Sequence, residues 1–475
     1  MSAWAVTTRF STMVAVSESA PAAPIALVCL ALERATLADP SFQVHLDGAT
    51  SPLFLWVPRS ADTNVSALDN DHLTMACWGT AARVSGTGPN RWSHVKEAAA
   101  RLFSTLKHDN LPIAPRLVGG FAFDLASSCV HNSDLTAAWA PFDDACFILP
   151  KLVYAQRAGQ AWFTAFGVDR AAAALSVQKA RGALEKALSS SDSPFASRAS
   201  THPPTFHDGG EPEWKALVEK AVNAILHRNF QKVVLSRTRR VSFNKRPNLT
   251  RAFALLEDRH PTTTRFLFRQ GESTFLGASP ERLATVSGSK VYTEALAGSI
   301  PRSSTEPLEQ LTTQLLESAK DRAEHAFVVD AVAQALRPYC DSLTYPSVPV
   351  ARVLPHVLHL QTPIQGTLAC HTPILDLVER LHPTPALCGT PRAESRAFLL
   401  ENEDSFRGYY GGAVGHLSAD GNGTFVVAIR SALTTESSAW IYSGAGIVEH
   451  SNPSLEYQET SAKERTMREA LEVCS

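Results

Sequence analysis

Apolar positions along the chain follow two periods. In "EWKALVEKAVNAILHR" (213–228), Trp214, Leu217, Val218, Ala221 and Ile225 share one helical face. "RAAAALSVQKARGALEKALSS" (170–190) has the same period and strong helix formers, and 306–340 predicts one long helical stretch. Other apolar runs are short and rich in β-branched or aromatic residues: "PLFLWVP" (52–58), "ACFILPKLVYA" (145–155), "TRFLFRQ", "STFLGASPERLATV", "GTFVVAIRSALTT" and "AWIYSGAGIV". These read as strands. Between 191 and 212 a Ser-, Pro- and Gly-rich stretch breaks both periods and predicts a loop or linker. It separates an N-terminal half (1–190) from a C-terminal region (213–475). The mixture predicts a single α+β unit with large antiparallel sheets, not a parallel doubly wound fold. "GGFAFD" (119–124) and "YYGGAVG" (409–415) echo each other weakly across the halves.

Composition narrows the partners. At 475 residues, 44% hydrophobic and 19% charged, the chain has the make-up of a soluble globular protein with room for a large core. A net charge of −2 gives no reason to expect nucleic acid or an anionic membrane. The eight cysteines include no CxxC pair, so neither a zinc site nor a redox motif is predicted and free thiols are expected. The longest apolar run, "APIALVCLAL" (23–32), is about half of what a bilayer crossing needs. Residues 1–17 lack acids and are Ser/Thr-rich, which faintly resembles a transit segment. The reading is a disordered start and a cytoplasmic protein.

Several charges sit where a surface residue would not. Lys232 heads the buried-looking run Val233-Val234-Leu235, where an ammonium loses hydration unless something compensates it. Arg430 interrupts the apolar "VVAIRSA", which a structural ion pair explains as well as a ligand does. Glu294 precedes a glycine turn, and Glu324 lies on a helix face that turns apolar at Phe327 and Val328. Glu456, Glu459 and Lys463 share one helical face, just after the glycine turn 442–453, whose N–H groups suit an anion. Each glutamate alone is more often solvated. Together they leave open a Mg2+ site of carboxylates and an anion-binding turn.

These segments resemble the chorismate-utilising enzymes, specifically isochorismate synthases. The resemblance runs in order through "KVVLSR", "FLGASPERL", "TEALAGS", "KDRAEH", "VLHLQTPIQG", "LHPTPALCGTP", "FRGYYGGAVG" and "SGAGIV" with its following Glu, Thr and Lys, from about 229 to 464. It implies an α+β fold in which two large antiparallel sheets form a layered core with flanking helices. The implied substrate is chorismate, to which water adds at C2 while the C4 hydroxyl leaves, with Mg2+ on the ring carboxylate. By resemblance Lys232 is the base and Glu294 the general acid. The base role requires a lysine whose pKa is depressed, and burial pushes that way; the acid must start neutral. Glu324 and Glu459 match metal ligands, with Glu456 an additional one. Tyr410, Arg430 and the N–H groups of Gly444 and Gly446 match contacts to the substrate carboxylate, Lys463 the residue facing the enolpyruvyl carboxylate, and Gly298 and Ala386 further pocket positions. His359 matches a pocket histidine, the alternative being a core histidine bonded to a backbone carbonyl.

Within this family, ammonia-adding anthranilate and aminodeoxychorismate synthases usually lack the lysine at 232. They also carry a Leu-Val-Asp-Leu run where this chain has "FVVDAVAQAL" (327–336), so no glutaminase subunit is expected. Salicylate synthases share the lysine but tend to carry Thr at the position of Ala386. Isochorismate synthase is therefore the leading expectation, salicylate synthase the alternative, and a non-catalytic binding homologue a third class. Relatives of this kind are often monomers.

Overall fold

Two long strands, Thr74–Gly86 and Ala145–Arg157, pair antiparallel along their whole length in the computed structural model. The model describes residues 26–32, 52–60, 73–106, 111–125, 133–157, 159–167, 169–189, 203–302 and 306–474. The start (1–17), read as disordered, lies outside the described residues. The ladder is interrupted by a bulge between Thr80 and Ala82, opposite Pro150, which can donate no ladder hydrogen bond. Beyond that bend the free edge of Ala145–Arg157 has two partners. Its first residues pair with Arg116–Phe121 and its last with Gln160–Gly167.

Two large antiparallel sheets fan out from this shared pair. The first continues from Thr74–Gly86 through Phe54–Val57, Thr264–Gln270, Ser273–Ser279, Ser431–Thr434 and Ser438–Ile447 to Lys232–Ser242. The second runs from Arg116–Phe121 through Ala413–Ser418, Gly423–Val427, Arg282–Ser287 and Lys290–Pro301 to Val357–Leu368. The echoing glycine segments are thus direct partners, with Gly119 opposite Gly415 and Phe121 opposite Ala413.

Strand alternation builds the layers. Phe54, Trp56, Phe266 and Phe268 point into a core shared with Val118, Phe121, Val414 and Phe425 of the second sheet. Their neighbours Leu55, Val57 and Leu267 point the other way, against Phe253, Leu256, Met467 and Leu471 of helices Leu249–Arg259 and Pro453–Glu472. Period-two burial on both faces explains why these strands read as continuous apolar runs.

Three expectations need adjusting. Residues 205 and 206, inside the supposed linker, form a short strand paired with Val241 and Ser242. The single helical stretch 306–340 is two helices, Leu308–Glu317 and Ala319–Leu336, broken at Ser318. Ser318 caps the second helix by accepting from the Asp321 N–H, an option its side chain offers more readily than continuing the helix. Phe327 is half exposed, so the apolar face of that helix runs through Val328 and Val332 instead.

Candidate active site

Lys232 opens the strand Lys232–Ser242, with Thr390 opposite it on one edge and the strand Ser438–Ile447 on the other. It is 3% exposed, and its Nζ donates to Glu324 Oε1 at 2.7 Å. That carboxylate compensates the hydration the ammonium gives up on entering the strand. Glycine makes room for the pair: a Cβ on Gly446 would lie 2.8 Å from Glu324 Oε1 and 2.9 Å from Lys232 Cε.

Beside this pair lies a cavity of about 370 Å³. Helix Ala319–Leu336 brings Lys320, Asp321 and Glu324 to it, and helix Pro453–Glu472 brings Glu456, Glu459 and Lys463. The second helix starts cleanly because Asn452 accepts from the N–H groups of Ser454 and Leu455, and Pro453 has no N–H that needs an acceptor. Strand Lys290–Pro301 slips register between Ala297 and Ser299, where Gly298 adopts φ +75°. That bulge puts Gly298 against Asp321 and aims the Ser299 hydroxyl at Glu459 Oε1, 2.6 Å away. Tyr410, Ala386, His359, Arg430, Gly444 and Gly446 complete the sequence-predicted positions that line the cavity.

The cationic side is tightly organised. Arg430 sits between two strands at φ +51°, a left-handed conformation that a non-glycine residue adopts at a cost in strain. Its guanidinium donates to His359 Nε2 at 2.8 Å. Burial, then the charges of Arg430 and Lys463, push the His359 pKa well below its ordinary value, so the ring is neutral and accepts that bond. A backbone hydrogen bond at Gly298 engages the same ring, so His359 both lines the cavity and is tied to the backbone. Burial lowers Arg430 to about 10 and raises the Tyr410 hydroxyl to about 12, leaving a cation and a neutral donor at neutral pH. Lys463 donates to Glu459 Oε1 at 2.5 Å and to the Gly444 carbonyl at 3.0 Å.

The carboxylates are in surplus. Burial, then the adjacent charge of Glu459, raises Glu456 to about 7 against the pull of Lys320, 3.6 Å away. Burial opposes ionisation of Glu459 too, but Lys463 and the Ser299 hydroxyl outweigh it and lower its pKa. Among the described residues no three His, Cys, Asp or Glu side chains already form a metal-holding cluster. Hard oxygens from Glu324, Glu456 and Glu459 at one cavity nevertheless have the donor chemistry that suits Mg2+.

Glu294 is the exception. It borders a different cavity, of about 300 Å³, together with Arg59, Tyr292 and Gln365. One Arg59 amino group reaches both of its oxygens at 2.9 and 3.0 Å, Gln361 donates at 2.6 Å, and the Arg282 N–H donates at 2.7 Å. Burial alone would raise its pKa, but Arg59, Arg282 and Arg352 hold it down at about 2. An ionised carboxylate saturated with donors has no proton to give, which argues against the acid role expected of Glu294.

The structure offers Glu281 in its place. Glu281 lines the same cavity as Glu324 and Arg430 and is 3% exposed. No hydrogen bond or salt bridge reaches its carboxyl among the described residues. Burial, then the negative charge of Glu294, raises its pKa to about 8 despite Arg430, Lys232 and Lys463, so it is protonated at neutral pH. Its signal was present in "FLGASPERL": a lone carboxyl in a turn between two strands that are largely buried.

A model of the chorismate binding enzyme family matches residues 59–472. The chain belongs to this family. Among chorismate-binding enzymes it is 34% identical over 452 residues to the salicylate biosynthesis isochorismate synthase of Pseudomonas aeruginosa, spanning 93% of this chain and 91% of that protein. It is 32% identical over 388 residues to the isochorismate synthase MenF of Bacillus subtilis, spanning 80% of each. In three dimensions it matches the menaquinone-specific isochorismate synthase MenF of Escherichia coli with a TM-score of 0.72 at 25% identity, over 96% of this chain and 97% of that one. The described residues contain no helix long and apolar enough to cross a membrane.

Proposed function

We propose that this chorismate-binding enzyme is an isochorismate synthase. It would add water to C2 of chorismate while the C4 hydroxyl departs, with Lys232 as base, Glu281 as acid and Mg2+ bound by Glu324 and Glu459 with Glu456. The observation that carries the reading is Glu281: a buried carboxyl, protonated at neutral pH and without a hydrogen-bond partner for its side chain among the described residues, lining the same cavity as Glu324, to which Lys232 donates. A departing hydroxyl needs a proton and an attacking water must lose one, so one acid and one base balance the reaction. Relatives named isochorismate synthase over most of the chain support the same substrate.

Bound Mg2+ would supply positive charge against the ring carboxylate and neutralise the carboxylate surplus. Arg430, oriented by neutral His359, and the Tyr410 hydroxyl would hold a substrate carboxylate. Lys463, tied to the Gly444 carbonyl, would face the second one. Leu296, Leu387 and Ile429 supply the apolar wall.

The test is product analysis. With chorismate and Mg2+, chromatography should show an approach to a chorismate–isochorismate mixture, and a lactate dehydrogenase couple should detect no pyruvate. Stoichiometric pyruvate would place the chain with salicylate synthases instead, and absence of turnover would leave a binding protein.

A further inference from the structure

Glu281 is held almost entirely through its backbone. Its N–H donates to Ser279 Oγ at 3.2 Å, its carbonyl accepts from the Val427 N–H at 3.1 Å, and the next N–H, that of Arg282, donates to Glu294 Oε1 at 2.7 Å. Ser279 Oγ is itself anchored on the Val427 carbonyl at 2.6 Å. Of these anchors only Glu294 carries a charge. It reaches the turn from the neighbouring strand, braced by Arg59 and Gln361.

We infer that Glu294 is a positioning residue for Glu281: it fixes the turn that carries this side chain and sets a permanent negative charge behind it, so that the carboxyl entering the cavity is the protonated one. The inference rests on Glu281 being the proton donor proposed above. Two carboxyls close together cannot both ionise cheaply, and the one with more donors takes the charge. Glu294 faces Arg59, Arg282 and Arg352, whereas Glu281 faces Glu294 on one side and Arg430, Lys232 and Lys463 on the other. The residue that the family resemblance suggested as acid is thereby the group that keeps its neighbour acidic in function and neutral in charge.

The pH profile of kcat separates this role from simple bracing. In Glu294→Gln the amide oxygen can still accept from the Arg282 N–H, but the negative charge that Arg59, Arg282 and Arg352 face is gone. Glu281 should then release its proton earlier, and the alkaline limb should move down by roughly one pH unit or more. Glu294→Asp, which keeps the charge, should leave the limb near its wild-type position. Arg59→Met leaves the Glu294 charge less neutralised and should move the limb the opposite way, upward. Opposite signs from two variants at one contact cannot come from loosened packing, and Arg59→Met serves alone if Glu294→Gln does not fold. An inactive Glu281→Gln with an unmoved limb in both variants would overturn the positioning role and leave the proton donor intact. A Glu281→Gln enzyme with wild-type turnover would overturn the proton donor and this inference with it.

Discussion

Replacing Glu281 by Gln should abolish catalysis and at the same time stabilise the fold at alkaline pH. Folding carries this carboxyl from its ordinary pKa of 4.5 to about 8, so the folded state binds its proton more tightly than the unfolded one. The contribution is fully favourable below about pH 4.5 and is lost as pH rises through the interval up to about 8. At 1.36 kcal/mol per unit, the wild type forgoes roughly 1 kcal/mol at pH 5 and about 4 kcal/mol at pH 8 relative to a group that never ionises. Gln never ionises. Burying its amide without partners has its own cost, but that cost does not vary with pH. Urea unfolding of both proteins at pH 5 and pH 8 therefore isolates the ionisation: the variant's stability relative to wild type should improve by about 3 kcal/mol between the two. A difference that stays constant within about 1 kcal/mol would show that Glu281 is not held neutral, and the acid assignment would fall with it.

Other variants probe the remaining roles. Lys232→Gln should lower kcat by about 10²–10⁴-fold, or about 2.7–5.4 kcal/mol of barrier, with a smaller effect on KM; retention of more than about a tenth of wild-type kcat would show that Lys232 is not the base. Chelation by EDTA should stop turnover reversibly and Glu459→Ala permanently; a rate indifferent to EDTA would remove Mg2+ from the proposal. Arg407 is fully buried, bonds Glu403 twice and donates to the carbonyls of Val234 and Leu387 behind the cavity wall. Arg407→Met should cost about 3–5 kcal/mol in urea unfolding, because it strands the Glu403 charge, and a loss under about 1 kcal/mol would contradict that.

Much of this was legible before any coordinates. Period-two burial of Phe54–Val57 and Thr264–Gln270 is written in their composition, since strands covered on both faces must be apolar throughout. Lys232, Glu324, Glu459 and Lys463 were recognisable because their ordered motifs survive in the linear chain. Glu281 left a signal in its turn, but the preference for it over Glu294 as the acid was not legible, for a physical reason. Both are single glutamates beside strands, and what separates them is which one meets guanidinium groups. Arg59 stands 235 residues away from Glu294. Its segment reads only as the end of a strand, and charge partners that distant leave no local pattern. The break at Ser318 was missed because the helical period continues across it, whereas the capping bond to Asp321 depends on geometry.

The glycine-edged pairing of Arg116–Phe121 with Ala413–Ser418 has a consequence for how the protein comes into being. The Tyr409 hydroxyl donates to the Gly120 carbonyl across a separation of 289 residues. At ribosomal rates of about 5–20 residues per second, the earlier strand waits roughly 15–60 seconds for its neighbour to be made. Throughout that interval Leu117, Val118 and Phe121, fully buried in the finished protein, have an open hydrogen-bonding edge beside them. The nascent chain thus carries an adhesive strand for most of its synthesis, and its yield in a cell should depend on chaperones that occupy that edge until the C-terminal third arrives.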